Sequence, residues 1–133
     1  MVLDTKKIMG DNTTASIVTK LASLLFHSRT QVHIMHLQTH SFAQHKALNE
    51  YYDDIVDLTD RLVESTQGRT KQILTGYTTK PILDNVDSLS FFNTLLTEVE
   101  GLRVGLKYPF LEQICDEIIE LISSTIYKIQ QLK

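Results

Sequence analysis

Two long helical patterns separated by almost nothing set the frame for this chain. Ile17, Leu21, Leu24, Ser28, Val32 and Met35 recur at steps of three and four, which is one face of an α-helix, and the pattern runs through His36 to about Thr39. Ser41-Phe42-Ala43-Gln44 then restarts the helical period as a capping box, in which the Ser and Gln side chains each take a partner at the helix start. Leu48, Tyr51, Ile55, Leu58 and Leu62 carry the main apolar stripe of this second helix. A link that short forces an antiparallel hairpin.

The remainder of the chain extends the same logic. Two prolines and five glycines, with no valine- or isoleucine-rich alternating run, predict an all-α fold. Asn12, Thr13 or Thr14 offers a side-chain oxygen to cap the first helix. Gln67-Gly68 ends the second, and residues 68–86 hold Gly68, Gly76 and Pro81, with Thr70 to Leu74 as a short helical turn. That stretch is long for a bundle connection and suffices to cross from one end of a helix pair to the other. Asp84 or Asp87 caps a third helix whose face is Phe91 or Phe92, Leu95, Val99, Leu102 and Leu106. Gly101 and Gly105 weaken its second half by roughly 1 kcal/mol each relative to Ala. Tyr108-Pro109 places a proline at the first position of a fourth helix, carried by Leu111, Ile114, Ile118, Ile122, Ile126 and Ile129, with Lys128 and Lys133 near its dipole end. The expected architecture is one domain over residues 1–133, with helices at about 13–39, 42–67, 88–107 and 109–131. Its links are tight, long and tight.

Composition narrows the function classes. A net charge of −3 with no basic stripe speaks against nucleic-acid binding, which displaces counterions with clustered Lys and Arg. No apolar run approaches the ~18 residues of a membrane span. Met1 to Lys7 lacks the apolar stretch of a secretory signal. A lone cysteine, Cys115, excludes an internal disulfide, reads as a buried thiol beside Leu111, Ile114 and Ile118, and fits a reducing compartment. A cytoplasmic location is therefore expected. No nucleophile with its base, no glycine-rich phosphate loop and no cysteine pair for zinc is present.

What stands out chemically is a run of imidazoles leading into a run of acids. His33, His36, His40 and His45 surround the link, and Asp53, Asp54, Asp57, Asp60 and Glu64 follow on the second helix. Imidazole nitrogen and carboxylate oxygen are donors that iron, zinc and manganese accept. The second helix also has a second stripe, His45, Asn49, Tyr52, Val56, Asp60 and Val63, roughly 100° from the first. A helix serving only a monomer core needs one stripe, so this face suggests a site or a subunit contact, giving a homo-oligomer of two or more copies. Solvated acids and half-exposed, carbonyl-capping histidines are the plainer reading of the same residues.

Four helices with a long connection between the second and third is the ferritin-like arrangement. The Glu-x-x-His pairs of an ordinary ferritin site are absent, and residues 91–133 contain no histidine. His36-Leu37, His45, Asn49, Asp60 and Glu64 instead resemble the pattern of the Dps mini-ferritins. In that family a His-Trp pair closes the first helix, and the second carries His, an acid four residues on, an Asp eleven further and a Glu four beyond. His33 competes with His36, because it lies twelve residues before His45, the family's own separation. The resemblance implies iron held between subunits by His36 of one copy with Asp60 and Glu64 of another, His45 supporting a second iron or a water, and a ferroxidase or iron-storage role. Asn49 in place of an acid, Leu37 in place of tryptophan and the lack of a basic tail depart from the family. The His-x-x-His, Thr-x-Ser and His-Lys-Ala-Leu wording between His33 and Leu48 is also similar to small uncharacterised ferritin-like proteins of tailed phages. The alternative is a non-catalytic helical bundle of the same fold that works as an assembly or binding module.

Overall fold

A computed structural model describes residues 5–132, with side chains from Gly10 onward. Among them are four helices and no strand: α1 (Thr5–Gln38), α2 (Phe42–Thr70), α3 (Ser88–Arg103) and α4 (Pro109–Gln131). Helix α1 packs against α2 and α3, and α4 packs against the same two, while the diagonal helices α2 and α3 meet through the core side chains Tyr51 and Phe92. The connection over residues 71–87 climbs the length of α1 before α3 begins, so α3 runs parallel to its diagonal, α2. Every neighbouring pair is consequently antiparallel.

The core follows the predicted stripes on α2, α3 and α4, but on α1 it is turned by one residue in places, with Val18 and Leu25 buried where Ile17 and Leu24 are half-buried. Val18, Leu21, Leu25 and Val32 of α1 meet Leu48, Tyr51, Ile55 and Leu62 of α2, Phe92, Leu95 and Val99 of α3, and Leu111, Ile118 and Ile122 of α4, all at 3% exposure or less. Burying each such side chain is worth about 1.5–3 kcal/mol against leaving it in water. Tyr51 lies on Phe92 edge to face. Its hydroxyl is 2.7 Å from Ser28 Oγ, which itself donates to the Leu25 carbonyl. Ser28 has one proton, so Tyr51 is the donor of the pair, and the phenol is satisfied without water. Burial pushes its ionisation upward. Burial likewise pushes the Cys115 thiol up to about 11, with Arg103 opposing the shift and Asp116 adding to it.

The helix ends correct several expectations. No cap forms at Asn12, Thr13 or Thr14, because α1 continues through them. Asn12 instead accepts from Gln72 Nε2 of the crossover, and the adjacent Asp11 accepts from the Tyr108 hydroxyl of the α3–α4 link. Ser41 does cap α2, accepting from Gln44 N at 3.2 Å, but Ser41 N donates to Thr39 Oγ1, so only half of the capping box is made. Helix α2 passes through Gly68 and ends at Lys71, which adopts the left-handed conformation (φ 58°) with its N–H on the Gln67 carbonyl. The expected turn at Thr70 to Leu74 is thus the end of α2 followed by extended chain. Asp87, of the two candidates, caps α3 through Ser90 N. Helix α3 stops at Arg103, short of residue 107, where a turn at Val104 and Gly105 replaces it. A side chain at Gly105 would run into Ile17 Cδ1. Helix α4 spans 109–131 as expected, and Lys133 lies outside the described residues.

The crossover, hereafter the strap, has no regular structure, yet α1 satisfies its backbone. Ser23 Oγ accepts from Thr78 N, and His27 Nε2 donates to the Pro81 carbonyl. Gln31, buried at 1% exposure, grips Leu83 twice: Oε1 accepts from its N–H at 2.8 Å and Nε2 donates to its carbonyl at 2.9 Å. Gln38 accepts from Asn85 N and donates to Asp84 Oδ1. At the opposite end Arg103 forms a fork with Asp116, at 2.6 and 3.1 Å, and closes the α3–α4 hairpin. The guanidinium holds the Asp116 carboxyl below the usual carboxylate range. That contribution is present at neutral pH and is lost as pH falls through the carboxylate range.

Two measurements check this account. Gln31→Glu puts a carboxylate oxygen against the Leu83 carbonyl and should cost about 1–3 kcal/mol in urea unfolding, with Gln31→Met losing both bonds but less stability than Glu. The Cys115 thiol should stay inert to a disulfide reagent at pH 8 in the folded chain and react at once in denaturant. Because the folded thiol keeps its proton to about pH 11, the stability it confers is full below the unfolded thiol's pKa and declines as pH rises through 11, a decline that Cys115→Ala should remove.

Candidate functional site

The link between α1 and α2 gathers three of the singled-out histidines. His36 and His45 stack with ring centroids 3.6 Å apart, interplanar angle 21°. His36 Nδ1 is 2.6 Å from the His45 carbonyl, and His45 Nδ1 is 2.9 Å from the His36 carbonyl. A carbonyl only accepts, so both Nδ1 atoms carry hydrogen and donate. Each histidine therefore ties the backbone of the other, closing the hairpin across the short link. His36 is buried at 8% exposure, while His45 is exposed.

A chain of contacts runs on from this pair. His33 stacks on the Tyr52 ring at 4.3 Å, and His36 meets the same ring edge-on. The Tyr52 hydroxyl donates to Asn49 Oδ1, and Asn49 Nδ2 donates to Asp53 at 3.2 Å. Asn49 is thus a relay between a phenol and a carboxylate, a part that needs an amide's donor and acceptor together. His40 is exposed and His27 serves the strap.

The acids lie elsewhere. Asp60 is fifteen positions beyond His45 on the same helix, about 22 Å along its axis at 1.5 Å per residue, and Glu64 is one turn further. Both are exposed. Within one copy, His36, His45 and Asn49 come together, whereas Asp60 and Glu64 do not join them. Among the described residues, no three His, Cys, Asp or Glu side chains gather as a metal cluster. With Nδ1 donating to a carbonyl, neutral His36 and His45 present Nε2 as the nitrogen with a free lone pair, the orientation that ligating histidines commonly have. Of the second stripe on α2, Tyr52 and Val63 pack against the core and Val56 is half-buried, so part of that face is already used inside the chain.

Several contacts gave no legible signal beforehand. Gln31, Gln38 and Tyr52 fall on faces where a glutamine or tyrosine is unremarkable, and their partners lie far along the chain or on another helix. Periodicity locates a face and says nothing of which backbone crosses it. The positively charged clamp of Arg103 was equally silent, because Asp116 sits on the next helix.

Removing the His36 ring should test the hairpin closure. His36→Ala and His45→Ala should each lower stability by about 1–2 kcal/mol, from one hydrogen bond and a lost ring contact. The double variant should fall short of the sum, giving a coupling of at least about 0.5 kcal/mol in a double-mutant cycle. Additive losses would mean the two rings act separately.

No curated protein matches the chain, and no solved structure does. No helix among the described residues is long and apolar enough to cross a membrane. Residues 36–129, from the histidine that closes α1 to the last buried isoleucine of α4, match a family of unknown function (DUF5856). The match spans most of the chain, which therefore belongs to that family.

Proposed function

We propose that this protein is a ferritin-like four-helix bundle that works as a non-catalytic assembly module, joining copies of itself in the cytoplasm. The observation that carries the reading is the state of the histidines. Nδ1 of His36 and of His45 each holds the other's backbone, and the His33 ring stacks on Tyr52, so the conspicuous imidazoles build the hairpin. The acids, by contrast, point outward with no cation opposite Asp57, Asp60 or Glu64 among the described residues. Three such charges at helical spacing repel by a few tenths of a kcal/mol per pair, a cost that a neighbouring molecule would relieve.

A second reading has one observation in its favour. Iron bound between copies needs Asp60 and Glu64 accessible to a partner, and both are exposed, while Nε2 of His36 and His45 has the free lone pair a ligand requires. Bound there, Fe(II) would supply ferroxidase chemistry. This chain's own residues would do no more than hold it: His36, at 8% exposure, against two carboxylates of another copy.

Size and metal content separate the two. Sedimentation over a wide concentration range should show reversible self-association, and protein purified with Fe(II) present should carry no stoichiometric iron. Association should survive Asp60→Ala/Glu64→Ala to within about threefold, as expected for loss of part of a charged rim. Stoichiometric iron that disappears in the double variant would establish the metal reading instead. A monomer at every concentration would exclude assembly.

A further inference from the structure

We infer that the hollow between α1 and the first part of the strap binds a small phosphorylated polyol, such as a sugar phosphate. It encloses about 370 Å³, within the range of small-molecule sites, between residues 15–23 of α1 and 72–78 of the strap. None of the hairpin histidines lines it, and it stands whether or not copies associate.

An idle buried hydroxyl singles the hollow out. Thr19 lines it at 6% exposure, yet its hydroxyl has no hydrogen-bond partner among the described residues. Unlike Thr14 Oγ1, Thr19 Oγ1 is not sealed in the core, so it opens on the hollow. Buried Thr59, Thr66, Thr70 and Thr125 all return their protons to the carbonyl four residues back. A buried hydroxyl that forgoes this bond calls for a partner from elsewhere. Ser23, also 6% exposed, accepts from Thr78 N, and its own proton has no acceptor among the described residues.

The rest of the lining selects the partner. Ser16, Thr75 and Thr78 add hydroxyls with no bond among the described residues, and the N–H groups of Thr75 and Gly76 have no acceptor there. Gln72 donates its amide nitrogen to Asn12 and keeps its oxygen free. Lys20, exposed at the rim, has no ion pair among the described residues, and no acid lines the hollow. Glu98, in the adjoining groove, has Lys80 at 3.9 Å. Donors therefore prevail and the one formal charge is positive. A phosphoryl group accepts from ammonium, hydroxyl and amide donors together in charge-assisted bonds. Phosphate alone would leave several of these hydroxyls idle, whereas an attached polyol offers each a donor or an acceptor.

Titration calorimetry of the full chain with glucose 6-phosphate, glucose and inorganic phosphate tests the site. Glucose 6-phosphate should bind once per chain, with amide shifts centred on Thr75 and Gly76 in a parallel NMR titration. Glucose and phosphate should each bind at least about tenfold more weakly, because each lacks part of the contacts. Lys20→Met should weaken glucose 6-phosphate at least about tenfold, from the lost charge-assisted bond. Thr19→Val should weaken it about fivefold while its urea midpoint stays at or above wild type, since no bond within the chain is lost. No binding of glucose 6-phosphate at millimolar concentration overturns the site, as does binding indifferent to Lys20→Met, or a Thr19→Val that loses stability and keeps affinity. Phosphate bound as tightly as glucose 6-phosphate overturns the polyol. Vesicles containing phosphatidylinositol 4-phosphate that bind the chain when glucose 6-phosphate does not assign the hollow to a lipid headgroup and overturn the soluble ligand.

Discussion

The arrangement rests on how an unstructured backbone is kept satisfied against the side of a helix. An extended segment over residues 71–87 carries N–H and C=O groups with no helix or sheet to pair them. Gln31 answers for Leu83 at both groups, much as a neighbouring strand would, and Ser23, His27 and Gln38 extend the hold along α1. That ladder returns the chain to the end where α2 began. Helix α3 then descends beside α1, and the tight turn after it sends α4 up between α2 and α3. Were the strap to stay at the lower end, α3 would ascend parallel to α1, α4 would descend parallel to α2, and the pairing of the apolar stripes would change.

Much of this was legible in the residues. Ser41 between two periodic runs announced the first hairpin, and Tyr108-Pro109 located α4 to the residue, because a proline at the first helical position is a strong local signal. Boundaries set by tertiary contact were not. Asn12 looks like a cap, yet it serves Gln72, which is distant in sequence. Gly68 looks like a stop, yet buried Thr66 and Thr70 hydroxyls bond their own preceding carbonyls and α2 continues. Gly105 lies in the turn that ends α3 early, where Ile17 Cδ1 occupies the place a side chain would take.

The histidine cluster shows the same division. Spacing placed His36, His45 and Asn49 at one end of the hairpin, and they are there. Spacing could not tell a ligand from a staple, because the two differ in where a ring nitrogen points. The reciprocal bonds to carbonyls make the link end rigid through side chains that outwardly resemble a metal set. Tyr52 completes the layer by covering His33, a contact between helices that no single-helix pattern encodes.

Because every neighbouring pair is antiparallel, each end of the bundle collects two helix N-termini and two C-termini. Their partial charges, about half an elementary charge each and of opposite sign, cancel in pairs. Neither end acts as a fixed pole that draws ions of one sign. The long-range field of this molecule is therefore written by side chains alone, and one of its features runs lengthwise down the bundle, the exposed carboxylates of Asp53, Asp57, Asp60 and Glu64 along the outward flank of α2.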